Sequence, residues 1–103
     1  MYNSLPRKRC SDVLGTQCLR SGTSVAANFR EASRARSNAE FLSKLGIVET
    51  ELDETMLWLE LIVESKLLPT TRMEPLQKEA EELLKIVVTI IKNRKKSSAN
   101  RVG

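Results

Sequence analysis

Gln17, Arg20, Ser24, Asn28 and Glu31 form the sharpest chemical constellation in the chain. Spacings of three and four residues place them on one side of a helix, opposite Cys18, Val25 and Phe29. A stripe of this kind serves either as a surface for a ligand or partner, or as a hydrogen-bonded seam. In the seam, Arg20 pairs with a carboxylate of a neighbouring helix such as Glu51 or Glu54. The seam is favoured, because a half-buried arginine must find several acceptors and an acidic helix supplies them. Such a contact sets helix register or subunit geometry more than it adds stability.

The remaining reactive residue types support little catalysis. Glu49, Glu51, Asp53, Glu54, Glu60 and Glu64 are dense enough to suggest a metal site, but bundle sites of that kind add a Glu-x-x-His partner and the chain has no His. A carboxylate-only magnesium site is disfavoured, since these acids suit solvated or cation-paired faces. With 2 Cys, no His and no glycine-rich loop, a His-based triad, a Cys/His zinc site and a phosphate-cradling loop are all excluded. The expectation is a non-enzymatic protein with no catalytic, cofactor or metal residue and no small-molecule substrate.

Basic side chains offer a different chemistry. Arg7, Lys8, Arg9, Arg30, Arg34, Arg36, Lys92, Arg94, Lys95 and Lys96 are candidate nucleic-acid contacts. Residues 1–37 carry 7 basic and 2 acidic side chains, residues 38–83 carry 4 and 11, and residues 84–103 carry 6 and 0, so the net charges are +5, −7 and +6. Such ends attract polyanions but are equally able to pair with the acidic middle. Repeated around an oligomer's axis, modest contacts per chain would add up to a multivalent polyanion site. Phe29, Phe41 and Trp58 are core candidates, so binding would be backbone-directed and weakly sequence-specific.

These residues must be positioned by helices. The chain has 103 residues, 41% apolar and 29% charged, with 4 Gly and 3 Pro, the composition of a single folded helical domain. The spacing predicts helices over about residues 12–35, 38–65 and 72–96, followed by a frayed basic tail, 97–103. Ser11 is the expected N-cap of the first helix, whose core face is Leu14, Cys18, Val25, Phe29 and Ala32. Gly15 and Gly22 beside that face predict a closely packed neighbour. Ser37 and Glu40 form a capping box for the second helix. Its seam runs through Leu45, Val48, Leu52, Met56, Leu59 and Val63, with Phe41 and Leu42 leading in. Pro69 ends this segment, and Thr71 with Glu74 is one candidate cap for the third helix, a start at Glu74 with Pro75 next being the other. Its core face is Leu76, Ala80, Leu83, Leu84, Val87, Ile90 and Ile91, widened by Ile86 and Val88.

Apolar surface exceeds what three helices can hide. Ile47, Leu57, Trp58 and Leu61 lie opposite the second helix's seam and are the expected oligomer interface. Each large side chain left in water forgoes about 1.5–3 kcal/mol. A helix upstream of Met1 or a neighbouring subunit would cover the excess. No secretory signal and no run of roughly 20 apolar residues is present, so a cytoplasmic protein without a membrane span is expected. Cys10 and Cys18 on one helix would stand about 12 Å apart along its axis and stay reduced.

The stretch from Gln17 to Ala32, QCLRSGTSVAANFREA, together with Glu40-Phe41 and the segment from Asp53 to Leu61, DETMLWLEL, resembles the 23S rRNA-intervening-sequence proteins. These are bacterial four-helix-bundle proteins first noticed as products of insertions in large-subunit ribosomal RNA genes. The resemblance covers about Leu14 to Leu61, and its Q-x-x-R-x-x-x-S-V-x-x-N-x-x-E pattern is moderately specific. It implies an all-α, antiparallel up-and-down bundle assembling into a ring-shaped homopentamer, with no established enzymatic activity. A related protein, the accessory variability determinant of diversity-generating retroelements, implies RNA, DNA or a reverse transcriptase as partners. The alternative is a purely structural or protein-interaction module without nucleic-acid binding. One departure stands out: members usually carry an amphipathic helix before the position of Leu5-Pro6-Arg7, so three helices of the four are expected here.

Overall fold

The computed structural model describes the backbone of residues 7–66, 68 and 70–102, and the side chains of residues 9, 11–66, 68 and 71–97. Three helices account for nearly all of it: α1 (Arg7–Ser33), α2 (Asn38–Glu64) and α3 (Thr70–Val102). No helix is long and apolar enough to cross a membrane, among the described residues.

Capping chemistry explains where α2 begins and ends. Ser37 is its N-cap, with extended backbone, and its Oγ accepts a hydrogen bond from the Glu40 N–H at 3.1 Å. Glu40 reaches one residue further back than a standard capping box, accepting from the Arg36 N–H at 3.2 Å. At the other end Ser65 donates to the Leu61 carbonyl and Lys66 to the Val63 carbonyl, with Lys66 in the left-handed region at φ 58°.

The outer helices differ from their predicted bounds. α1 starts at Arg7, so Ser11 lies inside the helix and caps nothing. Nothing between Arg7 and Ser11 breaks a helix, and the nearest residue that does is Pro6. The first turn consequently holds basic residues at the positive end of the helix dipole and no acid. α3 starts at Thr70, placing Thr71 inside it rather than at its cap, and Pro75 sits within the helix, where its missing N–H leaves the Thr71 carbonyl without the usual i−4 donor. Residues 97–102, expected as a frayed tail, continue α3 to Val102.

α2 packs against both α1 and α3, whereas α1 and α3 barely touch. The molecule measures 58 × 21 × 21 Å, and each short dimension is about two helix diameters. Three antiparallel rods therefore occupy three corners of a square, with α2 at the middle corner. Two apolar clusters run down their common axis. One holds Ala32, Leu45, Val48, Leu52 and Val87, flanked by Val25, Phe29, Phe41, Leu84, Ile90 and Ile91. The other holds Leu59, Ile62, Met73 and Ala80, flanked by Leu14, Cys18, Met56 and Val63. Burial pushes the Cys18 thiol above its ordinary pKa.

Three expectations about packing are corrected. Leu76 and Leu83, expected in the core, are exposed, as are Ile86 and Val88. Leu76, Leu83, Ile86 and Ile90 share one flank of α3, and Ile90 looks across to Ala32 and Ser33, so this flank faces α1 over the gap. Met73 and Ile62, absent from the predicted core faces, are buried instead. Gly15 and Gly22 have no close neighbour: a Cβ built on either would meet nothing within 4 Å.

Leu45 is 1% exposed and Val13 is 51% exposed. Leu45→Ala should therefore lower unfolding free energy in urea by about 2–5 kcal/mol, while Val13→Ala should stay within about 0.5 kcal/mol of the parent.

Candidate functional site

The polar stripe of α1 lies along its border with α2. Arg20 donates from Nη2 to Glu54 Oε1 at 2.9 Å, from Nη1 to Glu51 Oε2 at 3.3 Å, and from Nε to Gln17 Oε1 at 3.3 Å. Asn28 turns back to its own helix, donating to the Ser24 carbonyl at 2.9 Å with the Ser24 Oγ at 3.2 Å. Glu31 pairs with Lys44 Nζ at 3.0 Å. The five residues thus serve helix contacts. Beside them lies a pair that the sequence reading passed over: Ser21, fully buried, has its Oγ 2.9 Å from Thr55 Oγ1. The Cys18 and Glu51 carbonyls lie within reach, at 3.2 and 2.8 Å. Each hydroxyl has one proton, so one bonds across to the other helix and the other satisfies its own carbonyl. Only the antiparallel register brings these two small residues, 34 positions apart, together.

Seven of the ten candidate nucleic-acid contacts converge at one end of the bundle. Arg30 closes α1, Arg34 and Arg36 lie in the α1–α2 turn, and Lys92, Arg94, Lys95 and Lys96 lie on the part of α3 beside that turn. Arg94 anchors the junction: its Nη1 donates to Asn38 Oδ1 at 3.1 Å and its guanidinium carbon lies 4.2 Å from the centre of the Phe41 ring. Arg7, Lys8 and Arg9 begin α1 at the opposite end, about 40 Å away along a 27-residue helix. The side chains of Arg7 and Lys8 lie outside the described residues. None of the other eight forms an ion pair among the described residues, so no acid of the middle segment is in direct contact with their charges.

A cleft of about 830 Å³ opens at the basic end. Ala32, Ser33, Ala35 and Arg36 from the end of α1 and the turn, Ser37, Asn38 and Phe41 from the start of α2, and Ile90, Asn93, Arg94 and Ser97 from α3 line it. None of these residues is acidic. Asn38, Asn93 and Ser97 carried no signal in the sequence, because an amide or hydroxyl gains meaning there only from its neighbours.

On α2's outer side, Ile47 and Leu57 are exposed at 40% and 47%, while Trp58 and Leu61 are half-buried. The Trp58 Nε1 is shielded from water and has no hydrogen-bond partner among the described residues. No group of three His, Cys, Asp or Glu side chains converges to hold a metal, among the described residues.

The Arg20 side chain is 49% exposed, that of Glu54 40% and that of Glu51 only 14%. Partial exposure limits the contribution, so a double-mutant cycle of Arg20→Ala and Glu51→Ala should give a coupling of about 0.5–1 kcal/mol in urea melts, shrinking as salt is raised.

Comparison with known proteins places this geometry. No curated protein matches the chain. Among solved structures, it is similar to a protein of unknown function from the S23 ribosomal protein family of Bacteroides thetaiotaomicron, with 41% identity over 78% of this chain and 71% of that one, and a TM-score of 0.74. Residues 1–89 match the family described as 23S rRNA-intervening sequence protein, and since that match spans most of the chain, the protein belongs to that family.

Proposed function

We propose that the protein is a non-enzymatic, oligomeric helical-bundle protein of the cytoplasm that presents its basic end to RNA, DNA or a nucleic-acid enzyme such as a reverse transcriptase. The observation that carries this reading is the convergence of seven basic residues, none of them ion-paired, around one end of the bundle. Guanidinium and ammonium groups gathered at one end reinforce each other's attraction for phosphates. Arg7, Lys8 and Arg9 begin α1 at the far end, away from those seven.

Assembly is the second part of the proposal. The outer stripe of α2, Ile47, Leu57, Trp58 and Leu61, packs against another copy of the chain, and the family resemblance favours a pentameric ring. Leaving Ile47 and Leu57 in water forgoes burial that a neighbour would supply. A ring would repeat the basic end around its axis and turn weak contacts per chain into avid ones.

A gel shift at low salt, run beside sedimentation, tests both parts. A labelled RNA or DNA strand should be retarded, with log K falling linearly in log salt. Joint reversal of Arg34, Lys95 and Lys96 to Glu should abolish retardation. No retardation of the parent protein would leave a purely structural or protein-interaction module. Leu57→Glu should shift the sedimenting particle from an oligomer to a folded monomer, and a monomeric parent at micromolar concentration would remove the ring.

A further inference from the structure

We propose that the cleft at the basic end seats a single nucleic-acid strand through its phosphodiester backbone, with Arg36 and Arg94 as paired anion ligands. This rests on the nucleic-acid reading above and locates it. The volume, about 830 Å³, lies in the range of built ligand sites, and the lining combines two guanidinium groups with the amides of Asn38 and Asn93 and the hydroxyls of Ser33, Ser37 and Ser97. No carboxylate lines it. The nearest acid on the same turn, Glu40, has one oxygen engaged by the Arg36 backbone N–H at 3.2 Å.

Both arginines are prepared for an anion. Arg94 is held by Asn38 Oδ1 and by the Phe41 ring, and one donated hydrogen bond leaves the rest of its five N–H groups for a phosphate. The Arg36 guanidinium is exposed, forms no ion pair among the described residues, and stands next to the N-cap of the 27-residue α2, at the positive end of that helix's dipole.

The opposing feature, the carbonyl end of α1, is already masked. The Arg30 carbonyl accepts from Ser33 Oγ at 2.7 Å, the Glu31 carbonyl from the Arg34 N–H at 3.2 Å, and the Ala32 carbonyl from the Ala35 N–H at 3.1 Å. Contacts of this type read the backbone and leave sequence unread. Phe41 is already covered on one face by Arg94, so base stacking on it is not part of the site.

Fluorescence anisotropy with labelled oligouridylate and oligodeoxythymidylate of about 12 nucleotides, titrated between about 50 and 300 mM salt, tests the site. Arg36→Ala and Asn93→Asp alter only exposed side chains of the lining; Arg72→Ala and Lys78→Ala change the net charge by the same amount away from it. Circular dichroism melts confirm that all four variants fold. At the lowest salt, each cleft variant should bind both strands about tenfold more weakly, and Arg36→Ala should flatten the salt slope by about 0.7, the loss of one phosphate contact. The Arg72 and Lys78 variants should stay within about twofold of the parent. If all four variants weaken binding equally, attraction follows net charge, and the cleft is overturned while nucleic-acid binding stands. If the parent binds neither strand at the lowest salt, the cleft and the reading beneath it fall together.

Discussion

α2 is squeezed between two helices that scarcely meet each other, and the rest of the molecule follows from that constraint. Leu45, Val48, Leu52, Leu59 and Ile62 of α2 are all buried, whereas among the described residues α1 buries only Ser21 and Ala32, and α3 only Met73, Ala80 and Val87. α1 and α3 have far fewer fully buried side chains because each leans on a single neighbour. At about 25 cal/mol per Å² of apolar surface, the central helix therefore supplies the largest share of the hydrophobic stabilisation. The flanks facing the vacant corner remain wet, which is why Leu76, Leu83 and Ile86 carry helical core spacing without core burial.

Polar contacts set the register within that frame. Arg20 with Glu51 and Glu54, and Ser21 with Thr55, bind α1 to α2 at one level, and Glu31 with Lys44 binds them at a second, further along α1 and further back on α2. The exposed pairs among them are weak individually and specify alignment more than they stabilise it. The hydroxyl pair differs, because a one-residue slip would leave Ser21 buried without its cross-helix partner.

Alignment has an electrostatic consequence. Once α1 and α3 run parallel to each other and antiparallel to α2, the basic end of α1 and the basic end of α3 arrive at the same pole. Among α2's acids, Glu51 and Glu54 are spent on Arg20, and Glu40, which does stand at that pole, accepts from the Arg36 backbone N–H rather than pairing with a basic side chain.

Much of this was legible in linear form. Three helices, the Ser37 cap, the α2 seam and the Arg20 partners follow from periodicity and charge, which are local properties that a helix converts directly into faces. Helix ends were less legible: nothing between Pro6 and Asp12, or after Lys96, marks a stop, and periodicity is silent where side chains are polar. Periodicity also cannot tell which apolar flank has a neighbour, so Leu76 and Met73 exchange their expected places. The ten basic residues looked like one set, but helix length separates Arg7, Lys8 and Arg9 from the others. The sequence by itself determined the helices, their apolar faces and their charges. Only the tertiary structure decided which faces stay open and which charges meet, because those depend on distances between residues far apart in the chain.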